Sequence, residues 1–238
     1  MNPTWRFIRI AAAAIGLAGA ALAQNGFPWQ NESLRYSMNW QSGLSLGDAT
    51  LTAHKSEKRW EFEATVNAGI PGFSIADRFH SVTGPDLCSQ EFQRDYSHAG
   101  RKSSEKTTFD QKAGSAERVT LVPDGGTRPG KSNFDIPSCA RDALAFLYYS
   151  RMELGQGRVT PAQQVWYGGA YSVKTDYTGS QNLTLKNKPT VSDRVVVSVK
   201  GPKSEFSFEV FYARDAARTP LQIRIPLSLG TFTLELVR

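Results

Sequence analysis

Apolar and polar residues alternate along most of the chain with the period of two that is typical of half-buried β-strands. Between Trp60 and Val66, for example, Trp60, Phe62, Ala64 and Val66 share one face while Glu61, Glu63 and Thr65 occupy the other. The pattern predicts strands over 34–40, 44–53, 60–66, 78–83, 91–98, 102–110, 117–122, 170–177, 181–185, 194–199, 205–212, 221–225 and 231–237.

One segment departs from this alternation. Residues 139–154 are rich in good helix formers and carry apolar side chains on most sides. Ser138 is a residue type that caps helix N-termini, and Gly155 stands where helices commonly end. We therefore expect one helix at about 139–154 that is buried against the strands.

The predicted elements favour a mainly β fold in a single domain over residues 24–238, since no internal repeat or change in composition divides the chain. Sheets with this many strands tend to curl or close. The expected architecture is one long curved antiparallel sheet or a partly open β-barrel, with the helix packed against it.

The N-terminus has the pattern of a signal peptide. Arg6 and Arg9 precede an apolar run that ends in Ala21-Leu22-Ala23, a small-x-small cleavage signature. The alternative is a membrane anchor, but the run of about 14 residues is shorter than the roughly 20 that a spanning helix needs. We expect cleavage of residues 1–23, no transmembrane segment afterwards, and a periplasmic location, with secretion as the alternative.

Charge and composition argue against several classes of partner and cofactor. The formal charge is +6, but lysine and arginine are dispersed, and no basic run is interleaved with aromatic residues. A nucleic-acid partner is therefore not expected. The chain has 3 His and 2 Cys and no His/Asp/Glu cluster at metal-ligand spacing, so neither a metal nor another cofactor is expected.

The sequence offers no catalytic motif, neither Gly-x-Ser-x-Gly nor His-Glu-x-x-His. The three histidines lie on separate predicted strands or at their ends: His54, His80 and His98. Asp95 could form a carboxylate pair with Asp86 or Glu91 for glycoside cleavage. Charged residues at strand edges are the simpler interpretation, and we predict a protein that is not an enzyme.

The two cysteines, Cys88 and Cys139, favour a disulfide because an even number in an exported chain commonly pairs. The bridge would join a turn between strands to the N-terminal end of the helix. Two free buried thiols and a redox pair are the alternatives, although the spacing is far from Cys-x-x-Cys.

Two charged residues, Asp142 and Arg151, lie on the otherwise apolar helix. They are nine residues apart, about 13.5 Å along a helix axis, and so cannot pair with each other. Each should reach a backbone or charged partner on the sheet, because buried charges need one. We expect structural anchoring rather than catalysis from both.

The sequence is also rich in aromatic residues, with 5 Trp, 8 Tyr and 13 Phe. A curled sheet partly closed by an apolar helix can hold an acyl chain or a similar ligand. The candidate pocket residues are Trp60, Phe62, Leu144, Phe146, Leu147, Tyr148, Tyr149, Phe206 and Phe208. The alternative is that they simply fill the core.

Several motifs resemble the family named domain of unknown function 3108, which consists of exported bacterial proteins. The strongest is the helix motif from Asp142 through Tyr148-Tyr149 to Arg151, followed by a glycine. The others are Leu34-Arg35-Tyr36 with Trp40, Leu46-Gly47-Asp48-Ala49, Arg101-Lys102, Phe109-Asp110, Arg218-Thr219-Pro220 and Leu229-Gly230-Thr231. The resemblance implies an exported β-rich domain, similar in architecture to the open barrels of periplasmic lipoprotein carriers, and it supplies no catalytic residues.

Three functional hypotheses follow from the sequence. The first is a non-enzymatic periplasmic protein that binds or shields a hydrophobic partner: a lipid, a lipoprotein or another envelope component. The second is an envelope structural or assembly factor that engages another protein through its sheet edges. The third, with the least support, is a hydrolase of envelope glycans or esters.

Overall fold

The computed structural model describes residues 29–70, 72–123, 129–202, 204–227 and 230–237. The predicted signal peptide, residues 1–23, lies outside the described residues. None of the helices in these ranges combines the length and hydropathy that a bilayer-crossing helix requires.

The first eight strands of the described chain are mostly joined by short turns. They are β1 (Asn31–Trp40), β2 (Ser45–Lys55), β3 (Trp60–Ile70), β4 (Phe73–Thr83), β5 (Ser89–His98), β6 (Arg101–Asp110), β7 (Ser115–Val122) and β8 (Lys131–Asp135).

The second part of the chain contains the helix and seven further strands. They are β9 (Arg141–Asp142), α1 (Ala143–Gly155), β10 (Gln163–Trp166), β11 (Ala170–Leu185), β12 (Lys188–Lys200), β13 (Glu205–Ala213), β14 (Pro220–Leu227) and β15 (Gly230–Leu236).

All the strands belong to one sheet with the order β8-β7-β6-β5-β4-β3-β2-β1-β15-β14-β13-β12-β11-β10-β9. Neighbours are antiparallel except β9 and β10, which are parallel. β1 pairs with β15, with Tyr36 opposite Leu236, so the first and last strands meet in the middle of the sheet. The mainly β fold with one long sheet and one helix is confirmed; the sheet is open and does not close into a barrel.

Three strands were missed by the prediction: β8, β9 and β10. β9 and β10 are 2 and 4 residues long, too short for an alternating pattern to be recognised. The predicted strands 170–177 and 181–185 are one continuous strand, β11. It carries a bulge between Tyr177 and Ser180, where Gly179 has a φ of +101°.

The helix begins later than predicted, at Ala143 rather than at residue 139, and its N-cap is Asp142 rather than Ser138. Cys139 has a positive φ of 56°, which a helix cannot contain, and Arg141 and Asp142 pair with β10. At the other end, Gly157 has a φ of +75° and donates its N–H to the carbonyl of Leu154 at 3.0 Å. This left-handed glycine terminates the helix.

The helix contacts two of the three clusters of buried apolar residues in the described chain. One combines residues of β1 to β7 with Trp29, Leu144 and Tyr148. The other combines Phe146 and Leu154 with residues of β10 to β13. Because α1 carries apolar residues on most sides, it can contact both clusters at once.

Candidate functional site

The start of α1 is fixed to the sheet by Asp142, which is fully buried. Its Oδ2 accepts hydrogen bonds from the hydroxyls of Ser81 on β4 and Ser89 on β5, both at 2.6 Å. Its Oδ1 accepts the N–H groups of Leu144 and Ala145 at 2.9 and 3.0 Å. Burial raises the pKa of Asp142, while these four hydrogen bonds act in the opposite direction. Asp142 therefore joins the helix to β4 and β5 in the first half of the sheet.

The last turns of α1 are fixed by Arg151, whose side chain is fully buried. Its Nη1 and Nη2 donate to Glu32 on β1 at 2.7 and 2.6 Å, and its Nε donates to the carbonyl of Ala217 at 3.1 Å. The guanidinium also lies 4.8 Å from the ring centre of Trp29. Burial disfavours the charge of Arg151, but the contact with Glu32 outweighs burial and raises its pKa. Asp142 and Arg151 thus bind the helix to the sheet and not to each other.

A disulfide between Cys88 and Cys139 lies just before the helix, with the two Cα atoms 4.7 Å apart. It connects the turn between β4 and β5 to the segment that leads into α1. The predicted disulfide is confirmed. Disulfides persist in oxidising compartments, so the bridge is typical of an exported protein.

One face of α1 borders a cavity of about 440 Å³. Five helix residues spaced by one to four positions face it: Ala143, Phe146, Leu147, Ser150 and Leu154. Such residues fall on one side of a helix. The two anchors, Asp142 and Arg151, hold this side of the helix over the second half of the sheet.

The opposite wall of the cavity is built from strands. Val195, Val197 and Val199 of β12 all border it, as alternate residues of a strand must when they face the same side. Neighbouring strands contribute Val165, Val173, Phe206, Phe208 and Val210 in the same way. The cavity is therefore almost entirely apolar.

The cavity is open to solvent. Val159, Tyr167 and Phe206 border it and are 43%, 37% and 43% exposed, respectively. Arg158 also borders it, and among the described lining residues it is the charged one. An apolar interior whose cation, Arg158, lies beside the exposed Val159 is an amphipathic arrangement.

The polar groups inside the cavity are uncharged. Burial raises the pKa of Tyr212 to about 12, so this phenol stays neutral over the physiological range. The Thr175 hydroxyl donates to the carbonyl of Thr160 at 2.9 Å. The buried Ser150 Oγ has no hydrogen-bond partner among the described residues.

The structure divides the nine candidate pocket residues between different surroundings. Phe146, Leu147, Phe206 and Phe208 border the cavity. Trp60, Phe62, Leu144 and Tyr148 lie in the packed cluster on the other side of the helix. There the rings of Phe62 and Tyr148 stack with centres 4.1 Å apart. The remaining residue, Tyr149, is covered by the guanidinium of Arg141 at 3.7 Å.

The valines of β12 are among the lining residues that lie outside the nine candidates, most of which are aromatic. The sequence did predict their strand. Its alternating pattern already placed Val195, Val197 and Val199 on one face, which could have identified them as lining residues. The candidates were chosen mainly for their aromatic side chains, whereas the cavity wall is mostly aliphatic.

The carboxylates considered for hydrolysis each have a local partner. Glu91 pairs with Lys106 at 2.7 Å, and Asp95 accepts from the amide of Gln93 at 3.1 Å. Asp86 accepts the backbone N–H of Cys88 at 3.1 Å. These contacts are those of charged residues that stabilise strands and turns.

Comparison with known proteins gives structural likenesses and a family. A solved structure described as a putative lipoprotein from Parabacteroides distasonis ATCC 8503 is similar with a TM-score of 0.32 and 8% identity, over 88% of this chain and 95% of that chain. No curated protein matches the chain. The family model described as "Protein of unknown function (DUF3108)" matches residues 35–237, so the chain belongs to this family.

Proposed function

We propose that the protein is a non-enzymatic periplasmic protein that binds or shields a hydrophobic ligand in the cavity under α1. The ligand would be a lipid, the acyl part of a lipoprotein or another envelope component. The observation that carries this proposal is the cavity itself. Its volume of about 440 Å³ falls within the roughly 300–1,000 Å³ of ligand pockets, and its walls are apolar on both the helix and the strand side.

The way the cavity is built favours a ligand-binding site over a packing defect. Protein interiors are normally close-packed, with few voids larger than a water molecule. Here Asp142 and Arg151 hold the helix wall through buried polar contacts to the other half of the sheet, while Phe146 and Leu154 are the helix residues that pack against the facing strands. A space beside this anchored helix that is open to solvent is suited to receiving a ligand.

The periplasmic location rests on two independent features. The first 23 residues have the pattern of a signal peptide. The Cys88–Cys139 disulfide requires an oxidising compartment to persist.

Native mass spectrometry tests the proposal. The full chain is exported with its own N-terminus, purified from the envelope, and compared with the same protein after unfolding, delipidation and refolding. We expect added mass of lipid size only in the first sample, and displacement of the neutral dye N-phenyl-1-naphthylamine from the refolded protein by palmitate. Absence of both lipid mass and dye displacement would contradict the proposal.

A second candidate function, assembly with another protein through a sheet edge, is favoured by the length of β11. β10 pairs only with Ala170–Val173 of this 16-residue strand. On that side, residues 174–185 of β11 have no neighbouring strand among the described residues. An edge of this kind can accept a strand from another protein. A protein that co-purifies stoichiometrically, without lipid mass, would favour this function over ligand binding.

A further inference from the structure

We infer that Arg158 is the head-group residue of the cavity, so that the ligand is an acyl chain with an anionic head group, a carboxylate or a phosphate. The chain would lie under α1 and the head group at the mouth. This inference rests on the proposed function and adds the chemical class of the ligand.

The position of Arg158 is the first argument. It follows the C-terminal end of α1, borders the cavity, and has a side chain that is 56% exposed. The next residue, Val159, also borders the cavity and is exposed. The guanidinium therefore lies at the boundary between the apolar space and water, which is where the head group of an amphiphile has to be.

The free hydrogen-bond donors of Arg158 are the second argument. Its Nε and Nη2 each donate to Glu153 at 2.7 Å, and Nη2 also donates to Gln156. Nη1 donates to no described residue, so one end of the guanidinium fork remains available. Arginine donors of this kind form their strongest hydrogen bonds with carboxylate and phosphate oxygens.

The absence of charge deeper in the cavity is the third argument. Among the described lining residues the side chains other than Arg158 are apolar or neutral, and Tyr212 stays protonated. An anion placed deep in the cavity would be buried without a charged partner, which is strongly unfavourable. An anion at the mouth would contact Arg158. There it would compete with the carboxylate of Glu153 for the guanidinium.

The first experiment compares two ligands with the same chain, palmitate and hexadecan-1-ol, by displacement of N-phenyl-1-naphthylamine at pH 8. We expect palmitate to bind more tightly than hexadecan-1-ol. Arg158→Gln should weaken palmitate about fivefold, as expected for a partly exposed charge pair, and leave hexadecan-1-ol within about twofold. Arg158→Lys, which keeps the charge, should retain part of the preference.

The second experiment removes the competitor. Glu153→Gln frees the guanidinium and should strengthen palmitate binding about twofold while leaving hexadecan-1-ol unchanged. A purely structural role of the Arg158–Glu153 pair would instead make both substitutions weaken both ligands. Lys174→Gln is the matched control, because Lys174 is an exposed cation on β11 that pairs with Asp176 and does not border the cavity.

The outcomes test the head-group inference and the proposed function separately. Equal affinities for palmitate and hexadecan-1-ol, both unaffected by Arg158→Gln, would overturn the inference and leave the apolar cavity as a binding site. Failure of both ligands to displace the dye would overturn the proposed function itself. Opposite effects of Arg158→Gln and Glu153→Gln on palmitate alone would establish the head-group role.

Discussion

Arg151 on α1 and Glu32 on β1 form a buried, bidentate ion pair, with Nη1–Oε2 and Nη2–Oε1 distances of 2.7 and 2.6 Å. The hydroxyl of Tyr148 donates to the same carboxylate at 3.2 Å. β1 lies in the middle of the sheet, beside β15. The pair therefore fixes the helix, and with it one wall of the cavity, to the centre of the fold.

Breaking this pair should be costly. Arg151→Met leaves Glu32 without its cation in a mostly buried position, and we expect the free energy of unfolding to fall by about 3–5 kcal/mol. Urea titration followed by tryptophan fluorescence measures the loss. Lys131→Ala, which removes an exposed ion pair with Glu117, is the control and should cost no more than about 1 kcal/mol.

The double variant Glu32→Met/Arg151→Met separates the contribution of the ion pair from that of the other contacts of Arg151. It removes both charges together, and since a buried ion pair can be replaced by apolar residues at little cost, most of the lost stability should return. A double variant as unstable as Arg151→Met alone would show that the contacts of Arg151 with the Trp29 ring and the Ala217 carbonyl, rather than charge pairing, dominate.

Replacing Asp142 by asparagine should cost far less stability than replacing it by alanine. Asp142→Ala removes the helix cap and leaves the hydroxyls of Ser81 and Ser89 without their acceptor, so we expect a loss of about 2–4 kcal/mol. In Asp142→Asn the Oδ1 still accepts from Leu144 and Ala145, and the new NH₂ donates to the two serine hydroxyls. Because burial raises the pKa of Asp142, a neutral side chain should be accepted there.

Thermal unfolding of the two Asp142 variants, together with dye binding, checks this expectation. Asp142→Asn should lose less than half of what Asp142→Ala loses, and both should bind the dye while folded. Unchanged melting temperatures combined with lost binding would identify Asp142 as a functional rather than a structural residue.

The parts of the fold that local patterns encode could be predicted from the sequence. Strand alternation identified all the long strands, and the compartment argument identified the disulfide. The start of the helix could not be predicted, because Arg141 and Asp142 become a strand only through pairing with Val165 and Trp166. That pairing joins residues far apart in the chain, and nothing in the local pattern indicates it.

The division of the helix between a packed cluster and a cavity could not be predicted either. Leu147 and Tyr148 are neighbours on the helix, yet Leu147 is only partly buried and borders the cavity, whereas Tyr148 is fully buried within the packed cluster. The difference comes from their neighbours: Trp29 and Phe62 fill the space around Tyr148, with ring centres 5.5 and 4.1 Å away. Which side is filled depends on tertiary contacts, whereas the sequence shows only that both sides are apolar.

Acid stability should depend on Asp193, which is buried in the middle of β12 and does not border the cavity. Burial opposes its ionisation, but hydrogen bonds from Arg214 and Tyr177 and the charges of Arg214 and Arg218 outweigh burial and lower its pKa. A lowered pKa stabilises the folded state above the unfolded-state value of about 3.9, and this contribution is lost as pH falls through the folded-state pKa.

Asp193→Asn should therefore be less stable than the wild type at pH 7, and the difference should shrink as the pH falls below about 4. Urea unfolding from pH 7 to pH 2 measures it. Asp176→Asn, on the exposed pair with Lys174, is the control and should leave the pH dependence unchanged. A stability difference that stays constant down to pH 2 would contradict the assignment.

Filling the cavity from its strand wall should abolish ligand binding without unfolding the protein. Val197 borders the cavity, whereas Val196, the preceding residue, points to the opposite face between Asp176 and Glu209. Val197→Phe adds a ring to a space that can receive it, so we expect a melting temperature close to that of the wild type. Palmitate affinity should fall at least about tenfold, or about 1.4 kcal/mol, because the ring and the acyl chain compete for the same volume. Val196→Phe adds the same ring outside the cavity and should leave the affinity within about twofold. Equal effects of the two substitutions would show that the bound ligand does not occupy this cavity.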